Sequence, residues 1–225
     1  MAGWATFGAV SVALTLLVLV LAHLTQRTLD SEASPLDELS TTALLANVVG
    51  TQLFFLVLLL GGIWYTGVPL PALGATAPTA AEVGLGTGLG VVLFGLNQGA
   101  ARLGRQFGLG GNEELRAALA PDSLPGWLVL LFVVLPVIAG FEELLFRGAL
   151  VGGLGTGFSL SPWLLVGLSS LAFGLGHGAQ GRVGVAVTGL LGAVLGAAFV
   201  VSGSLAVVVV AHYLVNALEF VVSER

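Results

Sequence analysis

The sequence predicts an all-α protein: a polytopic integral membrane helix bundle of about seven transmembrane helices, with eight as the alternative. Three observations carry this expectation. Of 225 residues, 56% are hydrophobic and only 8% charged, and the mean hydropathy is +1.05, whereas a soluble domain carries about 25% charged residues. Apolar runs of roughly 20 residues, the length that crosses a hydrocarbon core, recur along the chain. The polar or Gly/Pro-containing breaks between them are short.

The first span is expected over residues 4–24, before a polar stretch holding Asp30, Glu32, Asp37 and Glu38. Its long apolar core, with no basic segment ahead of it, reads as an anchor rather than a cleaved signal peptide. The second covers 43–65 and stops at the loop from Pro69 to Pro78. The third, 83–101, carries two overlapping small-xxx-small pairs, Gly84/Gly88 and Gly86/Gly90, of the kind that lets another helix approach closely. A hydrophilic connection, 102–125, is expected to hold a short interfacial helix near Glu113 to Leu119. Further spans follow at 127–154, 161–176, 183–201 and 204–222, with a turn at 155–162. These divide into an N-terminal part, 1–126, and a C-terminal part, 127–225.

Composition also excludes functions. Seven Arg and no Lys against twelve acidic residues give a net charge of −5, so the basic stripe of a nucleic-acid reader is missing. No Cys is present, which removes disulfides, thiolate metal sites and Cys nucleophiles together. No GxxxxGK[ST] loop occurs and the Gly-x-Gly runs lie in apolar segments, so a nucleotide partner is not expected. With seven spans, Arg27, Arg102, Arg105, Arg116, Arg182 and Arg225 fall on one face. The positive-inside rule then puts the C-terminus in the cytoplasm of a multi-pass cell-membrane protein.

Against this apolar background a few polar side chains stand out. Glu142, Glu143 and Arg147 lie within six residues of one span; at about 2.5–3.5 kcal/mol per charge, the naive insertion penalty is on the order of 7–10 kcal/mol. Glu143 and Arg147, spaced i and i+4, share a face and can neutralise each other; such a pair also serves simply to hold helices together. Glu142 points about 100° away with no local partner. A carboxyl held in apolar surroundings becomes a competent proton acceptor near neutral pH. Phe173 with His177, and His212 with Asn216, are also i, i+4 pairs. Each alone is an ordinary source of interhelical hydrogen bonds. His23, at the end of the first span, reads as interfacial.

The groups can meet. If the spans either side of the 155–162 turn form an antiparallel hairpin, Glu142 and His177 lie at matching depth, roughly 20 Å from it at 1.5 Å per residue. The last span, entering from the same face, places His212 at about 12 Å and Asn216 at about 18 Å. The expected cluster lies in the cytoplasmic half of the bilayer, with Pro136 and Gly140 permitting a kink just before the carboxylates.

These residues carry a resemblance. GFEELLFRGAL, from Gly140 to Leu150, is similar to the EExxxR motif of the CAAX protease and bacteriocin-processing (CPBP, or Abi) family, which is related to type II CAAX prenyl endopeptidases. FGLGH, ending at His177, resembles its FxxxH motif, and HYLVN, from His212 to Asn216, its HxxxN motif. Order and spacing agree, and the similarity covers about residues 127–222. It implies an intramembrane endopeptidase acting on a peptide or protein substrate, which in CAAX-processing members is prenylated.

Peptide hydrolysis needs an activated water, oxyanion donors and a proton for the leaving amine. The residues divide accordingly: Glu142 as base, His177 positioning the water, His212 with Asn216 at the oxyanion, and Glu143, Arg147 and Phe173 supporting them. Glu142, His177 and His212 are also a zinc-compatible set, but HExxH is absent. No cofactor and a divalent metal such as zinc are both open. From a different class, a non-catalytic scaffold, immunity protein or carrier could use the same buried groups.

Overall fold

The computed structural model describes residues 2–29, 39–106 and 113–224; the acidic residues of 30–38 and Arg225 lie outside these. Eight helices account for nearly all of it, with no strand among the described residues: α1 (Trp4–Leu29), α2 (Thr41–Thr66), α3 (Ala80–Gln106), α4 (Glu113–Leu119), α5 (Leu124–Phe158), α6 (Pro162–Gly176), α7 (Gly181–Ser202) and α8 (Leu205–Ser223). Six of these are long and apolar enough to cross a membrane: α1, α2, α3, α5, α7 and α8. All seven expected spans have a helix, but α6 has only 15 residues, about 22 Å at 1.5 Å per residue. That is short of a hydrocarbon core of about 30 Å. The expected seven spans are thus six full-length helices and one short one. The chain is a multi-pass helical membrane protein.

Helix ends follow local chemistry. Thr79 and Glu82 form a capping box at the start of α3: the Glu82 carboxylate accepts from the Thr79 backbone N–H at 2.7 Å, and the Glu82 N–H donates to the Thr79 hydroxyl at 3.2 Å. Such reciprocal bonds satisfy two otherwise orphaned donors. Ser40 caps α2, accepting from the Ala43 N–H at 3.3 Å. Gly67 ends α2 and Gly203 ends α7 at φ of 65° and 64°, a conformation glycine adopts without a Cβ penalty. The short helix α4 occupies Glu113–Leu119, where a short helix was expected. Arg116 ties it to the end of α8 through Glu224 at 2.7 Å and Glu219 at 3.5 Å.

The long helix α5 is not uniform. It begins at Leu124, inside the expected N-terminal part, so a division at residue 126 cuts through its first turn. Its hydrogen bonding widens to the i→i+5 pattern over Leu130–Val134 and again over Leu144–Gly153. The first wide turn immediately precedes Pro136, which lacks an N–H and crowds the carbonyl four residues back. The second follows the two glutamates and contains Arg147. Wide turns of this kind are frequent at functional sites. Gly140, the other candidate for a kink, lies in the regular segment Leu135–Glu143.

Close helix crossings use glycine selectively. A Cβ on Gly86 would lie 2.6 Å from the Val207 carbonyl oxygen, and one on Gly90 would lie 2.9 Å from that of Ala211. Gly84 and Gly88 face open space. Of the two overlapping pairs in the sequence, therefore, Gly86/Gly90 is the packing seam, and it seats α3 against α8 one residue short of His212. Gly174 similarly lets α6 meet α7, where a Cβ would lie 2.8 Å from the Val185 carbonyl oxygen.

Candidate active site

The wide turn of α5 turns Arg147 inward, where it is 1% exposed. Its guanidinium donates to Glu143 Oε1 at 2.7 Å and to the Gly192 carbonyl of α7 at 2.9 Å. It also lies 4.5 Å from the centre of the Phe173 ring, in cation–π geometry. One arginine thus joins α5, α6 and α7. A Cβ at Gly192 would come within 3.3 Å of Arg147 Nη2, so the small residue makes room for the guanidinium.

Glu143 serves a second partner. Its Oε1 accepts from His212 Nδ1 at 2.7 Å, which places the Nδ1 proton on that bond and turns Nε2 toward Glu142. His177 is fixed in the same sense: its Nδ1 donates to the Phe173 carbonyl at 2.8 Å. The Phe173 ring lies 4.6 Å from the His177 ring and meets His212 edge-on at 5.9 Å. Two imidazoles, one just past the end of α6 and one on α8, are therefore oriented through their Nδ1 atoms, and the Phe173 ring contacts both.

Both Nε2 atoms face one oxygen. Glu142 Oε2 lies 3.9 Å from His177 Nε2 and 3.8 Å from His212 Nε2, and it is buried without a hydrogen-bond partner. These separations exceed a direct hydrogen bond. Glu142 is nearly buried, whereas the His177 side chain is 23% exposed, so the cluster opens at the His177 end.

Of the expected residues, Glu142, Glu143, Arg147, Phe173, His177 and His212 are brought together. Asn216 is half-buried one turn beyond His212 and has no hydrogen bond to a described side chain. Among the described residues, no group of three or more histidine and acidic side chains is arranged to hold a metal ion. Glu142, His177 and His212 thus have the chemistry of a zinc set without its geometry. Gln52 of α2 was not expected at the site, yet its Nε2 donates to Glu142 Oε1 at 3.3 Å. Its signal in the sequence is a carboxamide, one of two with Asn47, within the apolar second span. His23 is exposed near the end of α1, apart from the cluster.

Residues 124–218 match the family model described as type II CAAX prenyl endopeptidase Rce1-like. This segment is similar to the Rce1-like family. The match supports the resemblance to the CPBP proteases carried by the three sequence motifs. The matched segment starts with the first residue of α5 and ends within α8, so it includes all seven residues singled out in the sequence. It leaves out α1, α2 and α3, and with them Gln52. No curated protein matches the chain, and no solved structure does.

Proposed function

We propose that this protein is an intramembrane endopeptidase that hydrolyses a peptide bond with a water activated by Glu142, near a lipidated, CAAX-type C-terminus. The observation that carries this reading is the convergence of Glu142 Oε2 with the Nε2 atoms of His177 and His212. A water donating one hydrogen to Glu142 Oε2 and the other to His177 Nε2 presents its lone pair away from both. As its oxygen bonds to the scissile carbonyl carbon, Oε2 takes its proton. The carbonyl oxygen becomes an oxyanion, and the C–N bond breaks as Glu142 passes the proton to the leaving amine. Water is consumed, and one acid and one amine are released.

His212 and Asn216 are assigned to the oxyanion. Because His212 gives its Nδ1 proton to Glu143, donation from Nε2 requires the imidazolium form. Asn216 supplies a neutral carboxamide donor from the next turn. Glu143, Arg147 and Phe173 hold the imidazoles and do not contact the reacting atoms. The one-sided opening beside His177 is assigned to the cytoplasmic face, where the arginine-rich connections lie.

The test is cleavage by the purified full chain in liposomes of a peptide with a farnesylated CAAX-type C-terminus, beside its unprenylated counterpart, read by mass spectrometry. Wild type should cut the prenylated peptide, and Glu142→Gln and His177→Ala should each lose at least about 100-fold. Chelator should leave the rate unchanged. Undiminished cleavage by Glu142→Gln would overturn the mechanism, and equal cleavage of both peptides would overturn the lipid preference. If neither is cut, comparison of membrane peptidomes from cells with wild type or Glu142→Gln decides whether the activity is proteolytic at all. Identical peptidomes would favour a non-catalytic scaffold.

A further inference from the structure

The second span lies outside the family segment and contributes one polar side chain to its centre. Gln52 Nε2 donates to Glu142 Oε1 at 3.3 Å across 90 positions of sequence. The opposite amide orientation would set two acceptor oxygens against each other. Phe55, one turn further along the same face of α2, stacks on Phe141 with ring centres 6.1 Å apart and planes inclined at 26°. Two neighbouring residues of α2 thus engage two neighbouring residues of α5, and the register between these helices is fixed at the carboxylate.

A carboxylate at the end of a glutamate side chain turns broadly about its last torsion. Left free, either oxygen of Glu142 could face the imidazoles. The donor on Oε1 removes that ambiguity: Oε1 is held toward α2 and Oε2 toward His177, just past the end of α6, and His212 of α8. Glu143, the neighbouring acid on α5, is already engaged by Arg147 and His212, which leaves Gln52 as the group that orients Glu142. The carbonyl Oε1 of Gln52 is buried and unpartnered, so neither face of the carboxamide is accounted for by helix packing alone.

We infer that Gln52 is a positioning residue of the hydrolytic site, holding Oε1 of Glu142 so that Oε2 is the oxygen presented to the attacking water. This rests on the proposed hydrolytic role of Glu142, but the contact itself can be read separately.

The experiment compares wild type, Gln52→Met and Gln52→Asn in liposomes. Methionine keeps the length and loses the donor; asparagine keeps the donor and is one methylene short. The Glu142 carboxylate stretch is identified by infrared difference between wild type and Glu142→Gln, and kcat and KM are measured on the farnesylated peptide. In both variants the Glu142 band should shift, and kcat should fall roughly 10- to 100-fold, as for a reacting group displaced by an ångström or less, with KM unchanged. An unshifted band with unchanged kcat in either folded variant would overturn the inference while leaving hydrolysis by Glu142 standing. Full activity of Glu142→Gln would overturn the hydrolytic reading instead, and a band shift would then still establish the contact. A role confined to folding would lower the yield of inserted protein without moving the band or kcat of the part that folds.

Discussion

Nδ1 of His212 lies 2.7 Å from Oε1 of Glu143, across 69 positions of sequence, and that same oxygen accepts from Arg147 at 2.7 Å. The second glutamate of the EExxxR motif is therefore a bracket between two helices rather than half of a self-contained ion pair. It aims the His212 imidazole while Arg147 compensates its charge.

From this bracket follows a stability prediction with an unusual pattern. Glu143→Gln leaves Arg147 buried without its counter-charge and should cost about 3–5 kcal/mol, measured by unfolding in mixed micelles. Adding Arg147→Met removes the stranded charge and should recover a large part of that loss. Activity should stay low in the double variant, because His212 has exchanged a charged acceptor for a weaker, neutral one. Recovery of activity along with stability would mean that Glu143 contributes only charge balance.

Asn216 makes no hydrogen bond to a described side chain, so its removal should leave the fold intact. If its carboxamide serves the oxyanion, Asn216→Ala should slow cleavage by about 2.7–4 kcal/mol in the barrier, or 100- to 1,000-fold. The loss should appear in kcat. Wild-type turnover would remove Asn216 from the site.

The two glycine pairs of α3 offer an internal control. Gly90→Leu should force α3 from α8, since even a Cβ would approach the Ala211 carbonyl oxygen to 2.9 Å. Its effect should reach His212 on the next residue. Both thermal stability and cleavage should fall, overpacking typically costing about 1–3 kcal/mol. Gly88→Leu, on the open side of the same helix, should change neither. Equal effects would show that α3 packs on α8 differently.

Arg116 is a contrasting case. Its pairs with Glu219 and Glu224 join α4 to the end of α8, but the Arg116 side chain is 28% exposed. Partly solvated ion pairs contribute little, so Arg116→Ala should cost no more than about 1 kcal/mol in the same unfolding measurement. A loss of several kcal/mol would show that α4 is integral to the bundle.

Much of this architecture was legible because hydropathy is local. Each expected span has its helix, within a few residues at most boundaries, and the short helix α4 was placed at its observed ends. What hydropathy could not register is the hydrogen-bond pattern inside α5. The widening over Leu144–Gly153 depends on what Arg147 can reach in α6 and α7, and composition does not encode that. The bounds of α6 were legible to within one residue, but a run of 15 residues counts as a full span only if its reach of about 22 Å is ignored, and the helix stops where His177 turns to donate to Phe173.

The site divides in the same way. Its costly polar groups announced themselves singly, because an acid, an arginine or an imidazole in a 20-residue apolar run is conspicuous by itself. Gln52 was less so, being uncharged and unaccompanied by any motif.

By itself the sequence determined that the chain lives in a bilayer, where its helices run, and which few costly polar side chains its apolar spans hold, since each follows from the free energy of moving a residue out of water. Only the tertiary structure decided which oxygen of Glu142 meets the imidazoles, which acid aims His212, and that a carboxamide from α2 completes the arrangement. Those are relations between atoms distant in sequence, and hydrogen-bond energy depends on their separation and direction in space.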